Sequence, residues 1–304
     1  MSGGEATTRA GYAVILGAPN AGKSTLINQL TGAKISIVSD KVQTTRTRVL
    51  GIVMEQDTQI VFVDTPGIFA AKNKNKMERA IVAAAWDALA DADCILLLVD
   101  IQKKLSDETR MILARLREFN KPVMLVMNKI DGIKREKLLE NAQNLNQEFD
   151  FSATFMISAL KGDGVRDLAK HVAALMPTGE YLFDPEEISD MPLRLLAAEI
   201  TREKLFQRLY REIPYDLTVE TDEWEERENG SVLLHQTIYV VRDSQKKIIL
   251  GRGGEMIKQI GIAARKDIEE AIDAPAHLKL FVKVKENWTD DAERFSIWGL
   301  NPGA

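Results

Sequence analysis

The sequence predicts an α/β chain in which a mostly parallel six-stranded sheet carries helices on both faces and is followed by a smaller α+β module. Three observations predict it. The apolar run Tyr12-Ala-Val-Ile-Leu16 enters GAPNAGKST at 17–25, a glycine-rich passage from strand to helix. From residue 12 to about 176, apolar runs of strand length alternate with amphipathic segments, as in a parallel sheet whose crossovers are helices. MPTGEYLFDPEEISDMP at 176–192 then places three prolines and an acidic stretch where both periodicities stop.

In chain order, the first domain, 10–178, carries predicted strands at 12–16, 49–55, 59–64, 93–100, 122–128 and 154–157. Its helices are predicted at 23–31, 77–90, 106–119, 134–148 and 165–175. The runs 49–55 and 59–64 flank a short polar turn, which predicts one antiparallel hairpin at a sheet edge. A linker follows at 179–192, and a second domain at 193–300. That domain opens with a helix at about 193–210, then strands near 216–225 and 232–242 joined at Asn229-Gly-Ser231. A helix at 254–272 puts Ile257, Ile260, Ala264, Ile268 and Ile272 on one face, and the strand HLKLFVKVK follows from 277.

Composition narrows the function. With 45% hydrophobic and 28% charged residues over 304 positions, the chain reads as an ordinary globular protein large enough for two cores. One cysteine excludes an internal disulfide framework, and Cys94 lies in DCILLLVDI, a core strand. His171, His235 and His277 are scattered without cysteines beside them, which argues against zinc. No apolar run reaches the roughly 20 residues that span a bilayer, and MSGGEATTRAG lacks a secretion signal's apolar segment, so an intracellular compartment is expected. A net charge of −5 gives no global attraction to nucleic acid; any such binding needs a local patch.

The chemistry begins in the loop Gly17, Ala18, Pro19, Asn20, Ala21, Gly22, Lys23, Ser24 and Thr25. The spacing Gly17-x4-Gly22-Lys23-Ser24 is that of a phosphate-binding loop, whose glycines let backbone N–H groups turn inward around a polyphosphate. Lys23 reaches the β- and γ-phosphates, Ser24 ligates Mg²⁺, and the next helix aims its positive end at the same anion. Downstream, Asp64-Thr65-Pro66-Gly67 follows a strand: Asp64 orients an Mg²⁺ water and Gly67 offers its N–H to the γ-phosphate. Asn128-Lys129-Ile130-Asp131 ends another strand on the same edge. Asp131 can accept from guanine N1–H and the 2-amino group, a pattern adenine cannot offer. At Ser158-Ala159-Leu160 the Ala159 N–H is placed to meet guanine O6.

These four motifs, each at the carboxyl end of a strand, resemble the translation-factor-like branch of Ras-type GTPases. The resemblance implies GTP and GDP as ligands, with Mg²⁺. Thr44-Thr45 resembles the effector-loop threonine that ligates Mg²⁺ only when the γ-phosphate is present; Thr45 is favoured, with Thr44 as the fallback. Ile68 stands where Ras-like proteins carry the water-orienting glutamine, and an aliphatic group cannot do that. In relatives with asparagine in the phosphate loop, a bound K⁺ takes the place of an arginine finger, which implies Asn20 as its ligand. The groups assigned to the reaction itself are thus Lys23, Thr45, Gly67 and Asn20.

In the second domain, residues 242–266 hold seven Lys or Arg against two acids. Inside this patch Gly251-Arg252-Gly253-Gly254 is a GxxG loop, read as lying between a strand and an amphipathic helix. That is the arrangement of a KH module, which clamps about four nucleotides of single-stranded RNA. Gly251 and Gly254 allow backbone approach, Arg252 contacts phosphate, and Lys246, Lys247, Gly253 and Lys258 complete the assigned surface. A phosphate-loop GTPase domain with QTTR and DTPG, followed by KKIILGRGGEMIKQIGIAARKDIE and APAHLKLFVKVKENW, resembles the Era family over residues 10–300. The resemblance implies a type II KH domain and binding to small-subunit (16S) ribosomal RNA near its 3′ end. It also implies a role in assembly of the 30S subunit, coupling to the cell cycle, and a cytoplasmic monomer with peripheral membrane association. The rival reading from the same branch, a tRNA-modification or other ribosome-interface GTPase, gives the GxxG loop no task.

Overall fold

The computed structural model describes residues 8–41, 44–46, 48–67, 76–286 and 288. Among the described residues these form two compact units, one holding 8–35, 45–46, 48–67 and 76–190, the other 36–41, 44, 191–286 and 288. Ile68, Gln43 and the end of the second domain at 289–300 lie outside the described residues.

The first unit runs β1 (Arg9–Leu16), α1 (Lys23–Thr31), β2 (Val49–Glu55), β3 (Thr58–Asp64), α2 (Lys76–Asp87), β4 (Cys94–Asp100), α3 (Asp107–Leu116), β5 (Val123–Asn128), α4 (Arg135–Glu148), β6 (Ala153–Ile157) and α5 (Val165–Leu175). Its six strands order as β2-β3-β1-β4-β5-β6. All neighbours are parallel except the β2/β3 hairpin at one edge, as the sequence predicts. Every residue of β3 and β5 is buried, because helices on both faces require strands that are apolar on both sides. Val14, Leu97, Leu125 and Met127 meet Ile112 and Leu116 of α3 in one core. Cys94 is fully buried, and burial pushes its thiol up to about 12, so it packs and does not react.

Parallel strands deliver their carboxyl ends to one edge. Ile15 pairs with Asp64, Asp100 with Asn128, and Asn128 with Ile157, so the loops after β1, β3, β5 and β6 line up there. β1 sits between β3 and β4, where consecutive connections diverge, the usual ligand crevice of an open α/β sheet.

The segment read as a linker is fastened along most of its length to the first unit. Buried Gln59 accepts from the N–H groups of Leu182 and Phe183 (2.8 and 3.0 Å) and donates to the Phe183 carbonyl (2.9 Å). Further on, Ile188 accepts from Ile52 N–H at 2.8 Å and Ser189 Oγ donates to Leu50 O at 2.6 Å, covering the free edge of β2.

The second unit runs α6 (Leu193–Arg208), β7 (Leu217–Glu226), β8 (Val232–Val240), α7 (Asp243–Leu250), α8 (Glu255–Ile272) and β9 (Ala276–Val284). β7 pairs antiparallel with β8, which pairs parallel with β9. Ile260, Ala264 and Ile268 of α8 are fully buried, against Leu205 of α6 and Ile238 and Val240 of β8 in one cluster and Ile200 and Leu234 in the other.

The reading of a strand before the GxxG loop is corrected: α7 is a helix. KKIIL is short and β-branched, which reads as strand by local preference. The structure instead closes a helical turn through the Gln245 side chain, which accepts from the Val241 and Arg242 N–H groups at 3.0 Å each. Gly251 then ends the helix with its N–H on the Lys247 carbonyl.

Candidate functional site

The phosphate loop is built from β1 and the start of α1. Gly22 has φ 100° and a Cβ there would run into the Asn128 side-chain amide, so this position takes only glycine. Lys23, the first residue of α1, is 6% exposed, and its Nζ donates to the carbonyls of Gly17 (3.0 Å) and Ala18 (3.2 Å). The ammonium is thereby curled over the loop that would wrap a polyphosphate. Burial lowers its pKa to about 8, with the Asp64 carboxylate pulling partly back. An ordinary lysine in the unfolded chain stays protonated past pH 10. Between about pH 8 and that value the folded protein therefore binds fewer protons than the unfolded one, and stability rises with pH as the cost of burying the cation is relieved. Phosphate oxygens favour the charged form, so nucleotide binding at pH 9 is expected to take up about one proton, and binding at pH 7 none. Calorimetry at pH 9 in buffers of different ionisation enthalpy measures this; a buffer-independent enthalpy would contradict it.

Beside the lysine, Ser24 Oγ donates to Asp64 Oδ2 at 2.9 Å and lies 2.9 Å from Thr45 Oγ1. Two hydroxyls and a fully buried carboxylate make a hard-oxygen set of the kind that Mg²⁺ completes with phosphate oxygens and water. Of the two threonines, Thr45 stands here, whereas Thr44 Oγ1 donates to the Lys41 carbonyl at 2.6 Å. Thr65 Oγ1 donates to Ile15 O at 2.8 Å and Pro66 is buried, which brings Gly67 against Pro19.

The base-side motifs are tied to the same loop. Asn128 Nδ2 donates to Ala21 O at 2.8 Å while its Oδ1 accepts the Ala159 N–H at 2.9 Å. Lys129, in the left-handed region at φ 69°, reaches Asn20 O (2.9 Å) and the Asp100 carboxylate (2.8 Å). Asp131 is exposed, and Ser158 Oγ donates to its Oδ1 at 2.7 Å; that hydrogen bond holds its carboxyl below the usual range. Ile130 packs against the core, Leu160 is 76% exposed, and Thr25 is half-buried. The sequence assigned the Ala159 N–H to guanine O6, whereas here it serves Asn128 and locks the two motifs together. Asp100 went unnoticed; an acid closing the buried run CILLLVD at the same edge was its signal.

In the second unit, Gly251, Arg252, Gly253 and Gly254 join α7 to α8. A Cβ at Gly251 would lie 2.6 Å from Met256 Cβ, so this glycine closes the turn inward. Gly253 and Gly254 have φ of 61° and 80° and open space where a Cβ would be. Among the described residues no side chain caps the start of α8; its first N–H, that of Glu255, donates to the Arg252 carbonyl, and the helix's positive end lies at the loop. Lys247, Arg252 and Lys258 are exposed around the loop and Lys246 is half-buried. Sequence reasoning missed the exposed Ile248 and Ile262, at 48% and 55%, which present apolar surface on α7 and α8.

Comparison with known proteins decides the family. Residues 12–129 match the family described as 50S ribosome-binding GTPase, and residues 212–289 match the KH domain family. The chain is 53% identical over 298 residues to GTPase Era of Rhizobium meliloti (strain 1021), covering 98% of this chain and 95% of that one. The chain belongs to the Era family of GTPases. Within that family, the crystal structure of a point variant of Aquifex aeolicus Era bound to GDP·AlF4⁻ superposes with a TM-score of 0.91 at 36% identity, covering 96% of this chain and 99% of that one. The crystal structure of Era in complex with MgGDPNP and nucleotides 1506–1542 of 16S ribosomal RNA gives the same TM-score, identity and coverage. As an Era-family member the chain is a GTPase that hydrolyses GTP, with its phosphate loop on the first unit and its KH domain in the second.

Proposed function

We propose that this GTPase binds the 3′ region of small-subunit (16S) ribosomal RNA through its GxxG loop and assists assembly of the 30S subunit. The observation that carries the reading is the loop itself: two glycines open to solvent, an uncapped helix start and exposed cations at one place. A basic loop on a chain of net charge −5 is a local RNA site rather than a general polyanion binder. The relative solved with 16S ribosomal RNA and MgGDPNP supports both ligands. Titration of the GTP-analogue-loaded protein with a single-stranded oligonucleotide of that 3′ region tests it; binding no tighter than to a scrambled oligonucleotide of equal length would refute it.

In hydrolysis, Lys23 places its charge against the β- and γ-phosphates and the Gly67 N–H meets the γ-phosphate. Ser24 and Thr45 hold Mg²⁺, with Asp64 behind them; the ion supplies neutralising charge to the phosphate oxygens when bound. Asp131 selects guanine and Asn128 fixes the phosphate loop to the base site. The gain and loss of the γ-phosphate orders and releases the chain around Thr45. The reading includes a cytoplasmic monomer, with peripheral membrane association and cell-cycle coupling as the family resemblance implies. No helix among the described residues is long and apolar enough to cross a membrane.

Asn20, with φ 63°, holds its carbonyl on Lys129, which fixes the turn that would present its side chain to K⁺. With no glutamine at Ile68, hydrolysis is expected to run faster in K⁺ than in Na⁺, and Asn20→Ala to remove the difference. Phosphate-release rates in the two salts check this; equal rates in the wild type would rule out the cation role.

A further inference from the structure

Between α3, α4 and the loop that leaves β4 lies a cavity of about 550 Å³. That volume falls within the roughly 300–1,000 Å³ of small-molecule sites. The cavity is contained in the first unit, and none of its lining residues belongs to a nucleotide motif.

Its walls are fixed by contacts of their own. The loop folds back on the end of β5: Ile101 N–H donates to Asn128 O at 3.1 Å, Gln102 N–H to Asp100 Oδ1 at 3.1 Å, and Gln102 Nε2 to Lys129 O at 3.0 Å. Ser106 then caps α3 by accepting the Thr109 N–H at 3.2 Å. Across the cavity, α3 and α4 are tied where α4 ends. Arg110 Nη1 donates to Glu148 Oε1 and Arg117 Nη2 to Glu148 O, each at 2.8 Å. A pocket whose walls are already ordered costs little entropy to fill.

The lining has two chemistries. Val99, Ile101 and Leu145, all buried, supply an apolar floor, with half-buried Leu105 beside them. Lys103, Lys104 and Arg110 are exposed around it. Against these three cations the lining holds one acid, Glu148, and Arg110 already pairs with it. The other two cations are less engaged. Lys103 Nζ is 3.6 Å from Asp100 Oδ2, which Lys129 approaches to 2.8 Å, and the Lys103 side chain is 66% exposed, so it can turn to another anion. Lys104 has no ion-pair partner among the described residues. On a chain of net charge −5 this is a local excess of positive charge. An apolar floor beside two such cations fits a ligand with the same two ends.

We propose that this cavity is a second ligand site, separate from the nucleotide's, for a small organic oxyanion: Lys103 and Lys104 hold a phosphate or carboxylate head, and Leu105 and Leu145 receive an apolar body.

The test uses the full chain saturated with GDP and Mg²⁺, which keeps the probe out of the nucleotide site, and follows the methyl resonances of Leu105 and Leu145. Phenyl phosphate should shift both saturably, with a Kd of about 1 mM or tighter. Benzoate carries the same ring on a carboxylate. Saturable shifts from either probe support the site, and the tighter of the two identifies the head it takes. Inorganic phosphate and phenol each lack one half of the ligand and should bind about fivefold more weakly or worse. Lys103→Gln with Lys104→Gln, both at exposed positions, should weaken the tighter probe about fivefold, the scale of two exposed ion pairs. The remaining methyl resonances should stay in place and show that the variant is folded. No saturable shift from either probe up to about 10 mM would overturn the proposal. So would phenol or inorganic phosphate binding as tightly as the aromatic anions, or an unchanged Kd in the folded double variant.

Discussion

Replacing Asp131 with Asn is expected to turn a guanine site into a xanthine site. Guanine offers two donors, N1–H and the 2-amino group, and on the proposed reading the Asp131 carboxylate, which is exposed, accepts both. Ser158 Oγ donates to Oδ1 and fixes how the group is turned. In Asp131→Asn the same hydroxyl keeps the amide oxygen toward Ser158 and leaves the amide nitrogen toward the base. A donor then faces donors. Xanthine carries a carbonyl oxygen where guanine has its 2-amino group, and that oxygen accepts from the new amide. GTP affinity should fall about 10²-fold or more, short of the ~10⁴-fold reached where an enclosed site loses its hydrogen-bond partner, because this site is open to water. XTP affinity should rise. Competition of GTP and XTP against a fluorescent nucleotide measures both, and unchanged GTP affinity in the variant would remove Asp131 from base recognition. Because the Ser158 hydrogen bond keeps Asp131 ionised to below the usual carboxylate range, the guanine preference should persist into mildly acidic buffer and weaken only as pH falls through the lowered value.

How much of this was legible in the sequence follows from what each element is made of. The first unit's strands were readable because a sheet covered on both faces demands unbroken apolar runs, and CILLLVD and VMLVMN are such runs. The gathering of its candidate nucleotide residues was readable because glycine, lysine, serine and two carboxylates sit at fixed offsets from strand ends, and parallel strands bring those ends to one edge. α7 was not readable. Eight residues with two isoleucines carry too few turns for helical periodicity to stand out, and what decides them is the Gln245 amide closing on the Val241 and Arg242 N–H groups. Nor could the sequence show that Ala159 serves Asn128, or that Asp100 anchors Lys129, since both depend on register between strands. The partition of 36–44 into the second unit was equally hidden. Among its contacts are the Val38 N–H, the Thr44 carbonyl and Lys41, each meeting α6 more than 150 positions away, and no local pattern announces such pairings.

The measurement that tests the account most directly is a pair of titrations on one variant, Arg252→Asp with Gly253→Asp. Gly253 has φ 61° and nothing within 4 Å of a Cβ, so its open face is where an RNA backbone would pass, and Arg252 is exposed beside it. Two carboxylates there replace an attraction to phosphate by repulsion, add bulk at the point of approach, and confront the positive start of α8. The loop lies in the second unit, whereas the candidate nucleotide residues are in the first, so the two affinities should separate. Affinity for a single-stranded oligonucleotide from the 3′ region of 16S ribosomal RNA should fall about 10²-fold or more at physiological salt, with a shallower salt dependence, as phosphate contacts are lost. GTP affinity on the same sample should stay within about twofold, which also shows that the chain is folded. Unchanged RNA affinity in a variant that still binds GTP would contradict the account and remove the GxxG loop as the place where this GTPase holds RNA.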